Sequence, residues 1–489
     1  MSSYQPHGQR RAGIILHPTS LPGPNDHGDL GHQAYRFIEF LHAAGIKVWQ
    51  ALPLGPTHED LSPYQCLSVH AGNPLLISMD WLIDRQWLQK STLEASVLND
   101  SHRKKCLIEA FSQFRQRKDQ YYQPYIDFIE KESYWLNDYA LFIAIRMHQR
   151  NHAWMDWPEP LRNRDAETLQ KILSILIKDV ERIKFEQFVF FQQWLELKDY
   201  AHQHQIQMFG DMPIFVAHDS AEVWAHPEYF SIDDQGHATR VAGVPPDYFS
   251  ATGQRWGNPL YNWQRMENDN FIWWVNRMHT QLELFDLVRI DHFRGFEAYW
   301  EIPASEETAM NGHWVKAPGH QLLSVLHDHF DPLPIIAEDL GIITAEVDAL
   351  REDFNIPGMK VLQFAFSGDP DNPYLPHHHV QNGVVYTGTH DNDTTLSWYE
   401  TLDDHTRQFV DNYLGNSTDP MPWPLIRAAI SSVADLCILP MQDILSLGTG
   451  HRMNTPGTQE NNWQWRFDWE QVPEGLTDKL KNMLTRYER

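Results

Sequence analysis

Residues 287–295 read LVRIDHFRG, and they combine a buried strand with a cluster of ionisable groups. Three apolar side chains surround Arg289, and the strand pattern ends at Asp291. Side chains of a strand alternate between its two faces, so these two residues point to the same side. Packing alone rarely places an arginine and a carboxylate together at the end of a buried strand, so the stretch indicates a site with a chemical role.

Seven other short apolar runs resemble this strand, and helical patterns separate most of them. The eight predicted strands are AGIIL (12–16), IKVWQALPL (46–54), IQMFG (206–210), FDLVRI (285–290), PIIA (334–337), MKVLQFAF (359–366), GVVYT (383–387) and ADLCILP (434–440). Strands that alternate with helices pair in parallel, and eight such units suggest a closed barrel. We therefore expect an α/β fold of the (β/α)8 TIM-barrel class, with a doubly wound open sheet as the alternative.

The connection between the second and third predicted strands is long and rich in helix-forming residues. We expect residues of about 80–180 to form a mostly helical insertion, and residues 180–204 to form a helix that returns to the barrel. No internal repeat or low-complexity segment divides the chain. The prediction is therefore one catalytic barrel domain over residues 1–489, with helical insertions between its strands.

The charge and the cysteines limit the partners of the chain. Its 39 basic and 65 acidic residues give a net charge of −26, which argues against nucleic acid or an anionic membrane as a partner. Cys66, Cys106 and Cys437 lie far apart and form no CxxC pair, which is typical of a protein in a reducing cytoplasm. The sequence has no apolar signal-peptide core and no run of 18 apolar residues, so we expect a cytoplasmic protein with no membrane span.

The sequence contains no strong motif for a metal or a nucleotide. The histidine run 377–379 has no Cys or Glu at ligand spacing, which favours a surface loop over a metal site. The GTG at 448–450 is not part of a phosphate-binding motif. We therefore expect neither a cofactor nor a metal ion.

Acidic residues follow four of the predicted strands. They are Asp211, Asp291, Glu338 with Asp339, and Asp391. One such carboxylate could cap the next helix, but barrel enzymes place their chemistry at the carboxyl ends of the strands. Several carboxylates beside an arginine suit glycoside cleavage, in which a retaining enzyme uses one carboxylate as nucleophile and one carboxylic acid as proton donor. Arg289 would keep Asp291 ionised.

Ten longer motifs run in order from about residue 12 to 467. They are AGIILHPTSLPGP (12–24), SPYQ (62–65), AGNPLLI (71–77), GDMPIFVAHDSAEVW (210–224), AGVPPDYFSATGQRWGNPLY (242–261), LVRIDHFRGF (287–296), IIAEDLG (335–341), PGMKVLQFAF (357–366), YTGTHDNDT (386–394) and RMNTPGT (452–458). With these motifs the chain resembles the α-amylase superfamily and, within it, the amylomaltases, which are 4-α-glucanotransferases of glycoside hydrolase family 77. The resemblance implies transfer of 1,4-α-glucan segments with retention, and it implies 1,4-α-glucans, maltooligosaccharides and glucose as substrates.

The resemblance also implies a role for individual residues. Asp291 would be the nucleophile, Glu338 the acid and base, and Asp391 a residue that binds glucose hydroxyls and favours the distorted sugar. Arg289 would orient Asp291, and segment 242–261 would form an active-site loop on the acceptor side. The implied substrate-binding residues are Arg289, His390, Asp211, Tyr64, Trp256, Pro245 and Asp247. No role follows for His292.

Two alternative functions stay open on the sequence alone. A hydrolase would use the same carboxylates, because only the second step decides whether water or a sugar accepts the glucosyl group. An inactive sugar-binding protein on the same fold is disfavoured, because all three carboxylates are present. We expect a monomer or a weak homodimer.

Overall fold

The centre of the computed structural model, which describes residues 10–23, 27–246, 250–458 and 460–489, is an eight-stranded parallel barrel. The described residues form twelve strands, of which eight belong to the barrel and four to a second sheet. In chain order they are β1 (Arg11–Ile15), β2 (Val48–Gln50), β3 (Gln207–Pro213), β4 (Arg240–Val244), β5 (Gln254–Pro259), β6 (Leu287–Asp291), β7 (Ala298–Pro303), β8 (His313–Lys316), β9 (Ile335–Ala337), β10 (Gly358–Val361), β11 (Gly383–Tyr386) and β12 (Leu436–Pro440). The barrel order is β10-β11-β12-β1-β2-β3-β6-β9. The (β/α)8 prediction is confirmed, and each of the eight predicted strands overlaps one barrel strand.

Strands β9 and β10 meet where the barrel closes. The Ala337 N–H donates to the Pro357 carbonyl at 2.8 Å, and the Met359 N–H donates to Asp339 Oδ1 at 2.7 Å. Gly358 is required here, because a Cβ on it would lie 2.2 Å from Asp339 Oδ2. The buried Asp339 thus replaces a backbone acceptor at this junction, and its contacts differ from those of the other strand-end carboxylates.

Helices surround the barrel, and apolar side chains fill its interior. The helices are His32–Ala43, Met79–Asp84, Lys90–Leu93, Asp100–Arg117, Tyr122–Lys131, Ser133–His148, Glu159–Arg162, Ala166–Gln203, Ala221–Ala225, Trp263–Asn268, Ile272–Leu284, Gly319–His329, Ala345–Asp353, Thr395–Thr401, Asp404–Tyr413, Trp423–Ser431, Met441–Ile444 and Leu476–Arg486. Val48, Phe209 and Leu287 belong to the apolar cluster inside the barrel and are fully buried. This packed layer supports the polar groups at the carboxyl ends of the strands.

The helices between β2 and β3 end in one helix of 38 residues, Ala166–Gln203. Asp165 caps its start by accepting a hydrogen bond from the Thr168 N–H at 2.8 Å. The helix contains neither glycine nor proline, so nothing in its sequence interrupts it near residue 180. The returning helix therefore begins at Ala166, which differs from the expected start.

A second sheet, antiparallel and of order β5-β4-β7-β8, lies outside the barrel and was not predicted. Segment 242–261, expected as a loop, includes part of β4 and all of β5. Gly243 allows these strands to pair, since a Cβ on it would lie 2.1 Å from the Gln254 carbonyl oxygen. The prediction for Asp247 lies outside the described residues.

Among the described residues, no helix has the length and apolar character to cross a membrane. Within the same ranges, no group of His, Cys, Asp and Glu side chains could hold a metal ion. The three cysteines are free thiols.

Candidate active site

Arg289 joins two carboxylates at the carboxyl ends of β3 and β6. The register of the two strands places it opposite Asp211. Its Nη1 donates to both oxygens of Asp211 at 2.8 and 2.7 Å, and its Nη2 lies 2.9 Å from Asp291 Oδ1. Asp211 and Arg289 are buried, whereas Asp291 is half-buried. The guanidinium therefore fixes one oxygen of Asp291 at the edge of the buried layer.

Burial and Arg289 have opposite effects on the ionisation of Asp291, and the expectation that Arg289 keeps it ionised stays a prediction. Burial raises the pKa of Asp291 above its ordinary value, and the positive charge of Arg289 only opposes this rise. The same guanidinium also makes two hydrogen bonds to Asp211, whose negative charge raises the pKa of Asp291 further. Arg289 thus serves two carboxylates and limits the pKa rise of Asp291 without reversing it.

Glu338 lies directly after β9, and backbone donors fix its carboxylate. The His292 N–H donates to Oε2 at 2.6 Å, and the Leu340 N–H donates to Oε1 at 2.9 Å. Burial raises the pKa of Glu338 to about 7, and the charge of Asp291 contributes to the rise. The two N–H donors and Arg289 oppose this shift and do not cancel it. Glu338 can therefore exchange a proton near neutral pH, which general acid–base chemistry requires.

Asp391 lies on the other side of the cluster, in the segment after β11. Its Oδ2 is 3.4 Å from His390 Nε2. Burial would raise the pKa of Asp391, but His390 and the other donors outweigh it and lower the pKa below its ordinary value. The Tyr64 ring stacks on the His390 ring at 5.1 Å between centroids, and the Tyr64 hydroxyl donates to Asp211 Oδ2 at 2.7 Å. Tyr64 thereby links the Asp391 group to the Arg289 group.

Two further contacts of Asp391 come from segment 452–454 and were not predicted. Asn454 Nδ2 donates to Asp391 Oδ1 at 2.7 Å, and Arg452 Nη2 donates to the Asp391 carbonyl at 2.8 Å. The Asn454 N–H also donates to the His390 carbonyl at 3.1 Å. The RMNTPGT motif (452–458) was the available signal, but the sequence alone did not assign these residues a role.

Trp256 and His292 connect β5 to the same cleft. The Trp256 ring meets the His292 ring edge to face, with 4.9 Å between centroids. His292 adopts the left-handed conformation, with φ 55° and ψ 48°, and in this conformation its N–H donates to Glu338. Pro245 is half-buried, and it lies beyond the end of β4. Within the part of the chain that the structure describes, the hydrogen bonds of the carboxylate cluster do not include Pro245.

The cleft thus holds one carboxylate beside an arginine and a second carboxyl group with a raised pKa, which suits double displacement at a glycosidic carbon. The sequence model of glycoside hydrolase family 77, described as 4-alpha-glucanotransferase, matches residues 16–471. The chain belongs to this family of 4-α-glucanotransferases. The membership confirms the resemblance and the predicted enzyme class.

Curated relatives and a solved structure agree with the assignment to this family. The 4-alpha-glucanotransferase of Thermus thermophilus is 49% identical over 94% of this chain and 95% of its own length. That of Synechocystis sp. is 48% identical over 98% of both chains. The amylomaltase from Streptococcus agalactiae in complex with acarbose is 36% identical, covers 98% of this chain and 100% of that chain, and superposes with a TM-score of 0.96. Nearly the whole length of the chain is therefore similar to 4-α-glucanotransferases.

Proposed function

We propose that this 4-α-glucanotransferase moves a segment of a 1,4-α-glucan to the 4-hydroxyl of a glucose or glucan by a retaining double displacement. In the first step Asp291 attacks C1 of the donor sugar and forms a covalent glucosyl ester. Oδ1 of Asp291 is held by Arg289, so Oδ2 is the attacking oxygen. The C1–O4 bond breaks, and Glu338 gives its proton to the leaving O4.

In the second step the acceptor takes the place of the leaving group. Its 4-hydroxyl attacks C1, the ester bond to Asp291 breaks, and Glu338 takes the hydroxyl proton. The same carboxyl group thus acts first as acid and then as base, which a pKa of about 7 permits. One observation supports this proposal most directly. The pKa of Glu338 is raised to about 7, which suits a proton donor, whereas Asp291 is bound by the arginine, which suits a nucleophile.

The remaining cleft residues would hold the glucose at the point of cleavage. We propose that Asp391 and His390 accept and donate hydrogen bonds to its hydroxyls, and that Tyr64 stacks against the ring. Asn454 holds Asp391 in place, and Arg289 orients Asp291. Trp256 and Pro245 would contact the acceptor side, because Trp256 on β5 meets the His292 ring and Pro245 directly follows β4 of the same sheet. The family resemblance extends this proposal to Asp247.

The partners and the location follow from the same proposal. We propose maltooligosaccharides, longer 1,4-α-glucans and glucose as substrates, in agreement with the acarbose-bound amylomaltase to which the chain is similar. The net charge of −26 suits neutral glucans in the cytoplasm. The proposal includes a monomer or a weak homodimer.

Incubation with maltotriose tests transfer against hydrolysis. Transfer predicts a ladder of oligosaccharides longer than maltotriose, together with glucose, because a second sugar accepts the glucosyl group. Chromatography of the products over time measures both. Products that are only shorter than maltotriose would show that water is the acceptor, and the hydrolase alternative would then replace the proposal.

The pH dependence of transfer tests the two carboxyl groups. We expect a bell-shaped profile of kcat/KM, because Asp291 must be ionised and Glu338 protonated in the free enzyme. Activity should fall on the alkaline side through about pH 7 as Glu338 loses its proton. The acid limb should lie above the ordinary range of an aspartate, since burial raises the pKa of Asp291. A flat profile of maltotriose conversion between about pH 4 and 9 would contradict both assignments.

A further inference from the structure

Trp314 differs from every other tryptophan of the chain in its exposure. All 19 tryptophans lie within the described ranges, and only Trp314 is exposed, with 38% of its surface accessible. It lies on β8, the outer strand of the four-stranded sheet. Part of the large apolar surface of this tryptophan is in contact with water. A ligand that covered this surface would gain binding free energy from its burial.

The surrounding side chains hold the Trp314 ring in one place. The Arg294 guanidinium lies over the ring, 3.8 Å from its centroid. The Trp300 ring meets it edge to face at 5.2 Å, and Trp300 Nε1 is itself fixed by the Ala309 carbonyl at 2.9 Å. A rigid aromatic surface loses little conformational entropy when it binds a ligand.

Two more exposed apolar residues belong to the same part of the surface. Ile342 is 57% exposed, and its carbonyl accepts a hydrogen bond from Arg294 Nη1. Met310, also 57% exposed, follows Ala309 in the turn that holds Trp300. We call Trp314, Met310 and Ile342 the Trp314 patch. These three are among the few large apolar side chains that the described part of the chain exposes.

The Trp314 patch is joined by Arg294 to the two segments that carry the cleft carboxylates. Arg294 follows Asp291 at the end of β6, and Ile342 follows Glu338 after β9. The side chain of Arg294 connects these two segments to Trp314. The patch therefore lies beside the segments that hold Asp291 and Glu338, which is where a glucan that extends out of the cleft would pass.

We propose that the Trp314 patch is an additional binding site for the 1,4-α-glucan chain, distant from the point of cleavage. The C–H faces of glucose rings are apolar and stack on aromatic rings, and they need no charge on the protein. The inference rests on the proposed function, because it assumes that the cleft binds a glucan long enough to reach the patch. It implies that long glucans gain affinity that short oligosaccharides do not.

A second protein chain is a less suitable occupant of this surface. The free edge of β8 carries Lys316, which forms an ion pair with Glu297, and His313, whose Nε2 lies 3.7 Å from a Glu301 carboxylate oxygen. Charged side chains on an edge strand disfavour pairing with another strand. The test below nevertheless includes the oligomeric state.

The substitution Trp314→Ala tests the proposal with a long and a short substrate, amylose and maltotriose, each of which acts as both donor and acceptor. We expect kcat/KM for amylose of about 20 glucose units to fall roughly 3- to 10-fold, which corresponds to the loss of one aromatic stacking contact. The kcat/KM for maltotriose should stay unchanged, because the proposal places the patch beyond the sugars that are bound at the carboxylates. Trp314→Phe should recover most of the amylose activity, since it keeps an aromatic ring.

Ile175→Ala serves as the matched control, because Ile175 is an exposed apolar residue on the helix Ala166–Gln203, in the insertion. This variant should leave kcat/KM unchanged for both substrates.

Equal activity of Trp314→Ala and the unaltered enzyme on amylose would overturn the proposal, as would an equal loss on both substrates. Loss of a dimer in Trp314→Ala, seen by light scattering with amylose activity unchanged, would assign the patch to a second copy instead. If the unaltered enzyme makes no maltotriose ladder, the proposed function itself fails.

Discussion

Asp291→Asn is expected to lower kcat for glucan transfer by roughly 10⁴- to 10⁶-fold, the usual scale for loss of a catalytic nucleophile. An amide oxygen cannot form the glucosyl ester, so neither step of the double displacement can proceed. The loss is measured by an assay of maltotriose disproportionation, which records the release of glucose and the formation of the oligosaccharide ladder.

The same variant should fold normally, which separates chemistry from stability. Arg289 keeps both hydrogen bonds to Asp211 when Asp291 becomes neutral. Burial raises the pKa of Asp291 in the folded state, so ionised Asp291 lowers the stability of the fold relative to a neutral side chain. A neutral side chain should therefore leave the melting temperature unchanged or slightly higher. Asp234→Asn, at an exposed aspartate, is the control and should keep full activity. Near-full activity of Asp291→Asn would exclude Asp291 as nucleophile.

The barrel was predictable from the sequence because its strands are buried on both sides. Parallel strands of this kind appear as short apolar runs, and each of the eight runs corresponds to a barrel strand. The second sheet gave no such signal. Strand β8 is largely exposed, and β5 contains Gly257 and Pro259, which weaken a strand pattern. Its pairing depends on contacts with β4 and β7 that the local sequence does not show.

The candidate site was predictable to the extent that its groups follow strands. Asp211, Asp291, Glu338 and Asp391 lie where strand ends meet, and Tyr64 joins them through Asp211 and His390. The Asn454 contact was not predictable, because it connects residues 63 positions apart through side chains. Asp339 was grouped with the others by position alone. Its hydrogen bond to Met359 is a property of barrel closure that only the three-dimensional structure reveals.

The pKa of Asp291 illustrates a different limit. The spacing of Arg289 and Asp291 correctly predicted their ion pair. The direction of the pKa shift depends on burial and on the second carboxylate that shares the guanidinium. Neither quantity can be obtained from a local motif, so the spacing predicts the contact but not the net direction of the pKa shift.

Glu338→Gln is expected to lower kcat for maltotriose by roughly 10²- to 10⁴-fold, the range for loss of a general acid and base. Glutamine cannot give a proton to the leaving O4 or remove one from the acceptor. The alkaline limb near pH 7 should also disappear, because the group that causes it is gone. The pH profile therefore distinguishes loss of proton transfer from a general disturbance of the cleft.

A donor that needs no protonation makes this test sharper. With an α-maltosyl fluoride, fluoride leaves without help from an acid, so the first step should proceed in Glu338→Gln while the second stays slow. The glucosyl ester should then accumulate, and mass spectrometry should find the added sugar on a peptide that contains Asp291. Glu346→Gln, at an exposed glutamate, is the control and should show neither effect. An ester on another residue would refute the assignment of Asp291, whereas unchanged maltotriose activity would refute that of Glu338.

The Glu338→Gln variant should also bind substrate slightly less well. The backbone N–H groups of His292 and Leu340 both donate to the carboxylate, so the amide group of the glutamine must turn its own N–H donors towards one of them. A modest rise in KM is therefore expected beside the fall in kcat, and a rise in KM alone would indicate misplacement of the side chain without a role in proton transfer.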